Sequence, residues 1–153
     1  MTVRDIAEFE VKACSPDSDL ASAAKMMWDG DCGAIPVVNP DGRVVGMLTD
    51  RDICIAAATR AAAPPNIQVK DVMSREVASC TADDDVKAAM RVMKDRRIRR
   101  MPVLDSHGRL AGILSINDLA MRAESRSGAA ISGELFLDTL KGICAHTHQP
   151  ATV

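Results

Sequence analysis

Aromatic residues are nearly missing from this sequence: Phe9, Trp28 and Phe136 make up 2% of it, and there is no tyrosine. Proteins that hold single-stranded nucleic acid stack its bases on aromatic platforms, so that function class is excluded. An excess of charge is missing too. The formal net charge is −2, which gives no general attraction to nucleic acid or to an anionic membrane. No apolar run approaches the roughly 18 residues of a membrane-spanning helix. The opening stretch "MTVRDIAEFE" carries acidic residues where a secretory signal would have an apolar core. The expected location is therefore cytoplasmic, with neither membrane nor nucleic acid as partner. Paired cysteine motifs are also lacking. Cys14, Cys32, Cys54, Cys80 and Cys144 are odd in number, and none stands in a CxxC pair. Most are expected to be reduced and buried as small apolar side chains. Histidine is scarce: His107, His146 and His148 have no Ser, Cys or Asp partner at a catalytic spacing, and no enzyme centre is expected.

What is present is a folding composition and a repeat. A chain of 153 residues, 47% hydrophobic and 26% charged, can bury a core as one domain or two small ones. "GMLTDRD" at 46–52 returns as "GILSIND" at 112–118: glycine, two apolar residues, a hydroxyl, two variable residues and an aspartate. Offset by 66 residues, the distance from Gly46 to Gly112, the match runs without a gap between 3–53 and 69–119. Val3 falls on Val69, Cys14 on Cys80, Met27 on Met93 and Pro36 on Pro102. Two copies are too few for a solenoid, and make a pseudo-two-fold pair.

Each copy reads the same way locally. "SPDSDLASAAKMMWDGD" opens on turn and cap residues, then spaces Leu20, Ala23, Ala24, Met27 and Trp28 as a helix. "AIPVV" is a short apolar strand, "NPDG" a turn and "RVVGML" a second strand. "TDRDICIAAATRAAA" predicts a helix that runs up to Pro64 and Pro65. The second copy repeats helix, "MPVL" strand, "DSHG" turn, "RLAGIL" strand and a helix from Ser115. Near-continuous apolar strands imply sheets covered by helices, so the fold class is α/β.

Thr49-x-x-Asp52 and Ser115-x-x-Asp118 match the capping box of a helix start, and capping alone is one reading of them. The other is ligand binding. A strand running into a helix N-terminus aims backbone N–H groups at one place, which suits a phosphate, and a hydroxyl there adds a donor. An aspartate one turn later can accept from both hydroxyls of a ribose. With "IPVV…DGRVVGMLTDRD" and "RRMPVL…GRLAGILSIND", the chain resembles the tandem CBS (cystathionine-β-synthase-type) family, and within it the stand-alone bacterial two-CBS proteins. The resemblance covers about 3–122. It implies two β-α-β-β-α units packed about a pseudo-two-fold axis, with an adenosyl ligand (AMP, ADP, ATP, sometimes S-adenosylmethionine or a dinucleotide) in the clefts between them. It also implies a homodimer, often a flat disc. In the family the hydroxyl residue faces phosphate or ribose and the aspartate holds the ribose diol. Those roles fall here on Thr49 and Asp52, and on Ser115 and Asp118.

The two clefts are expected to differ. In the family, basic residues just ahead of the strand proline reach the ligand's phosphates. Arg99 and Arg100, with Met101, precede Pro102, whereas Gly33, Ala34 and Ile35 precede Pro36. Arg51 brings positive charge to the first cleft, but Asp50 beside it partly cancels it. A solvated helix end is the plain reading of Arg96 and Arg97.

The expected organisation is a first unit at 3–60, a linker at 61–68, a second unit at 69–122, and a remainder at 123–153. That remainder holds a linker, an amphipathic helix with Ile131, Leu135, Leu140 and Ile143 as its stripe, and a loose end. Cys144, His146 and His148 alternate as zinc ligands on a strand would, though a fourth ligand would have to come from elsewhere. The leading functional expectation is a regulatory sensor of adenosine nucleotides that passes a packing change to an effector protein. The alternative is a structural or metal- or redox-linked dimer that has lost its nucleotide. Apolar helix faces around Met26, Met27 and Trp28, and the tail stripe, are the surfaces expected to pair in a dimer.

Overall fold

The structure, a computed structural model, describes residues 1–124 and 129–145. Its framework is a pair of matching hairpins. The apolar run 34–38 forms β1 (Ala34–Val38), which pairs antiparallel with β2 (Val44–Thr49). β3 (Cys80–Thr81) lies parallel to β4 (Arg100–Leu104), which pairs antiparallel with β5 (Leu110–Ser115). Both hairpins turn at a glycine with positive φ, Gly42 (φ +78°) and Gly108 (φ +74°). In the first copy the counterpart of β3 is reduced to one parallel bridge, Cys14 to Val37.

Helices cover the sheets. α1 (Leu20–Asp29) is capped by Asp19, whose carboxylate accepts from the Ser22 N–H, and buries Leu20, Ala23 and Met27. α2 (Asp50–Thr59) starts on Thr49. α3 (Val86–Arg96) is capped by Asp85 and buries Val86, Ala89, Met90 and Met93. α4 (Ile116–Arg122) starts on Ser115. α5 (Gly133–Cys144), capped by Ser132, lies on α3 and touches α4. The chain leaves α1 and α3 through left-handed residues at matching positions, Asp31 (φ 47°) and Arg97 (φ 55°). The fold is thus α/β, two matching units with a C-terminal helix.

Three expectations are adjusted by the structure. α2 stops at Thr59 instead of running to Pro64, because 57–63 face solvent and helical propensity without a buried face is a weak force. The Arg60 guanidinium then donates to the Asp71 carbonyl at 2.6 Å. Met27 is core and Met26 half-buried, so of the expected apolar face near them only Trp28 stands out in solvent, 85% exposed. Of the five cysteines only Cys14 and Cys80 are buried, while Cys54 and Cys144 are exposed.

Burial pushes the Cys14 thiol up to about 11 and the Cys80 thiol up to about 12. Both therefore favour the folded state below about pH 9, where the unfolded thiols also keep their protons, and that contribution fades as pH climbs through 11 and 12. In the native protein at pH 8 we expect a thiol reagent to modify Cys54 and Cys144 rapidly, and Cys14 and Cys80 only on unfolding. Mass spectrometry of the labelled protein checks this, and early labelling of Cys80 would contradict it.

The two cores do not follow the order of the chain. Val3 and Ile6 pack with Val86, Met90, Leu114 and Leu119 of the second copy. Ile67, Val69 and Met73 pack with Leu20, Val37 and Leu48 of the first. The backbone crosses in the same way: Glu8 bridges Ile113, and its repeat counterpart Ser74 bridges Met47. Each unit lends its opening segment to the other, which ties the two cores into one structure.

This exchange explains the repeated glycine. A Cβ on Gly112 would lie 2.7 Å from the Glu8 carbonyl oxygen, and one on Gly46 would lie 2.9 Å from that of Ser74. Both contacts are with backbone, which cannot rotate away. Gly112→Ala is therefore expected to destabilise by roughly 1–3 kcal/mol, as other overpacked sites do. A denaturant midpoint equal to that of the parent protein would contradict this.

Candidate functional site

At the end of β5 the chain turns directly into α4, and Ser115 serves both elements. Its N–H and its hydroxyl each donate to Oδ2 of Asp118 at 2.7 Å, and the Asp118 N–H donates back to the hydroxyl at 3.3 Å. Thr49 and Asp52 repeat the arrangement at 2.9, 2.7 and 3.1 Å. The capping box is thus present in both units. It occupies one oxygen of each carboxylate and the one hydroxyl proton of Thr49 and of Ser115, so the second carboxylate oxygen is what each box leaves open. Oδ1 of Asp52 and of Asp118 accepts nothing from the described residues and is free for an outside donor.

The hairpins bring the second half of each site into place. Arg100 is the register partner of Ser115, and the Arg99 carbonyl accepts from the Ile116 N–H at 2.9 Å. Two arginines separated in sequence from the Ser–Asp pair therefore have their backbone beside it. Arg99 is exposed and Arg100 half-buried. Met101 and Pro102 are buried behind them, as are Ile35 and Pro36 in the first unit, so these four supply apolar backing.

In the first unit Ala34 is the register partner of Thr49, and the Gly33 carbonyl accepts from the Asp50 N–H at 3.0 Å. Gly33 holds the place of Arg99, and it lies so close to Asp50 that an added Cβ would come within 2.7 Å of Oδ2. Where the second unit offers Arg99 and the apolar Ile116, the first offers a bare backbone and a carboxylate. Arg51 is exposed on the first turn of α2, with its N–H donating to Asp50 at 2.7 Å. The same protein scaffold thus carries one cationic rim and one that is neutral to acidic.

The CBS domain family matches the chain twice, at residues 3–58 and 69–124. The chain belongs to the CBS domain family. Among relatives, CBS domain-containing protein YhcV of Bacillus subtilis is 35% identical over 128 residues, which is 84% of this chain and 89% of that protein. Hypoxic response protein 1 of Mycobacterium tuberculosis is 33% identical over 119 residues, 78% of this chain and 82% of that one. Among solved structures, the CBS domain pair of protein MJ0100, in complex with 5′-methylthioadenosine and S-adenosyl-L-methionine, superposes with a TM-score of 0.72. It is 25% identical and the match covers 79% of this chain and 98% of that one. Hypoxic response protein I with two coordinated zinc ions has the same TM-score, 0.72, at 32% identity, covering 79% and 98%.

The expected zinc cluster lies mostly outside the described residues: Cys144 ends α5, exposed, while His146 and His148 are beyond them. Among the described residues no group of three or more His, Cys, Asp or Glu side chains could hold a metal. Of the three, the described part holds the Cys144 thiol alone. No helix among the described residues is long and apolar enough to cross a membrane.

Proposed function

We propose that the protein is a cytoplasmic, non-catalytic regulatory module that binds an adenosine nucleotide (AMP, ADP or ATP), with the cleft of the second unit as the tighter site. The observation that carries this is the juxtaposition of Arg99 and Arg100 with the Ser115–Asp118 pair, across the β4–β5 register. Oδ1 of Asp118 accepts from the ribose hydroxyls, Ser115 faces ribose or phosphate and donates there once its hydroxyl turns away from Asp118, and the two guanidinium groups face phosphate oxygens, for which their planar fork is suited. The first cleft, with Thr49, Asp52 and Arg51 but also Asp50, takes a less charged adenosyl group more readily than a triphosphate. The related MJ0100 pair, with its two adenosyl ligands, supports this reading.

Because each unit completes the core of the other, a ligand that tightens one cleft shifts the packing of both. That change is what an effector protein would read. A homodimer forms part of the proposal. Ile131 and Ile143 of the expected tail stripe are buried in the chain's own core, so the apolar side chains that remain for pairing include Trp28 on α1 and Met121 on α4, each 85% exposed, and Leu137 on α5, 49% exposed. Light scattering at micromolar concentration checks it, and a clean monomer mass would contradict it.

Thermal shift tests the nucleotide reading. A ligand at about 100 times its dissociation constant stabilises the folded state by about 2.7 kcal/mol. For a chain of this size the melting temperature should rise on the order of 5–10 °C. No response to AMP, ADP, ATP, NAD or S-adenosylmethionine at millimolar concentration would favour the structural alternative.

A further inference from the structure

One cluster of charged side chains lies on the axis that relates the two units. Arg43 bridges Arg109, its own counterpart at the 66-residue offset, and a residue meets its own counterpart only where the pseudo-two-fold axis passes. The Leu110 N–H donates to the Gly42 carbonyl at 2.9 Å and joins the β1–β2 turn to the β4–β5 turn. The two arginines cross there. A Cβ on Gly42 would lie 3.6 Å from Cδ of Arg109, and one on Gly108 would lie 3.1 Å from a terminal guanidinium nitrogen of Arg43. Each side chain thus reaches over the turn of the other unit. An open pocket of about 480 Å³ is lined by these two arginines with Asp41 and His107, which are again counterparts of one another.

We infer that this pocket is a binding site for phosphate, free or as a monoester, held between Arg43 and Arg109. The two turns are built alike and differ in charge. In the second, Oδ1 of Asp105 accepts from the N–H groups of His107 and Arg109 at 2.8 and 2.9 Å, and Oδ2 accepts from Nε of Arg109 at 3.0 Å. In the first, Oδ1 of Asn39, the counterpart of Asp105, accepts from the N–H groups of Asp41 and Arg43 at 3.1 and 2.9 Å. Asn39 makes the same turn without a charge, so the Arg43 guanidinium has no carboxylate partner among the described residues. Asp105 bonds only Nε of Arg109 and leaves its two terminal nitrogens as donors. Two like charges on one axis repel, and an anion between them attracts both. The planar fork of each guanidinium fits phosphate oxygens. The Asp41 carboxylate opposes an anion, but among the described residues it bonds to neither arginine. The six residues of β2 and of β5, at about 3.3 Å each, put the pocket about 20 Å from Thr49 and Ser115. The site is therefore separate from both nucleotide clefts and does not depend on the nucleotide reading.

The probe is inorganic phosphate, replacing sodium chloride at fixed ionic strength in a solution of the full-length protein. Nuclear magnetic resonance follows the Nε–Hε signals of Arg43 and Arg109 and the backbone amide of His107. We expect the three to shift together and to saturate. Arg43→Gln should weaken the phosphate response at Arg109 about tenfold, through the loss of one charge-assisted partner. Asn39→Asp keeps the turn and gives Arg43 the partner that Arg109 has, so it should weaken the response several-fold. Asp41→Asn, which removes the opposing carboxylate, should tighten it. Glycerol phosphate titrated in parallel separates the two sources: tighter binding than inorganic phosphate identifies a monoester, and weaker binding identifies the free ion. The inference is overturned if phosphate moves only the signals of Arg99, Arg100 and Ser115, or if the response at Arg43 and Arg109 does not saturate. It is also overturned if Arg43→Gln and Asn39→Asp leave the affinity unchanged.

Discussion

Asp118→Ala is expected to weaken the tighter nucleotide-binding event by roughly tenfold or more, while Asp52→Ala leaves that event nearly unchanged. Hydrogen bonds to a charged group contribute about 1.5–3 kcal/mol each, and 1.4 kcal/mol is a factor of ten. Both aspartates close identical capping boxes, so both variants lose a similar cap, worth about 1 kcal/mol of stability. The difference between them therefore isolates the ligand. Only the Asp118 cleft has Arg99 and Arg100 beside it, whereas Asp50 sits by the other. Replacing Arg99 or Arg100 should weaken ATP and AMP but spare adenosine, since a guanidinium addresses phosphate and not ribose. Calorimetry on the two aspartate variants decides the assignment: loss of the tighter event in Asp52→Ala alone would reverse it.

The second large effect is on stability, and it should appear in the unit that sequence order would not suggest. Val3 is fully buried among second-unit side chains, so Val3→Asp places an unpaired carboxylate in that core. A buried charge without a partner belongs to the rare class of substitutions costing more than about 4 kcal/mol. Hydrogen exchange should therefore speed up in β5 and α3 before β1 and β2. Val69→Asp should do the reverse, loosening β1, β2 and α1 first, because Val69 packs with Leu20, Val37 and Leu48. If Val3→Asp loosened β1 and β2 first, the exchanged cores would be wrong.

Much of this was legible in the residues. The 66-residue offset from Gly46 to Gly112 announced two equal units, and the doubled hydroxyl-x-x-Asp phrase announced the two capping boxes that the structure contains. The residues set beside the two boxes differ as the sequence has them, Arg99 and Arg100 against Gly33 and Ala34. What the offset could not show is which core receives Val3 and which Val69. The two residues are equivalent in the repeat, and equivalence fixes a place in a unit without saying whose unit. The role of Gly46 and Gly112 was hidden for the same reason, since the backbone that crowds them arrives from the exchanged segments. β3 is only Cys80–Thr81, too short to leave a period in the sequence. α2 ends early because alanine-rich residues without a buried face give no tertiary reward, which propensity alone does not register. Nor did the stripe of α5 reveal that it would cover only the second unit, leaving Trp28 open on the first.

The most direct test of the central claim is to follow backbone amide signals by nuclear magnetic resonance while ATP is added to the intact protein. The account predicts that the amides of Arg99, Arg100, Ser115 and Asp118 move first and together, at ATP concentrations that leave Gly33, Thr49 and Asp52 little changed. A first response at Thr49 and Asp52, or no response at either cleft at millimolar ATP, would contradict it.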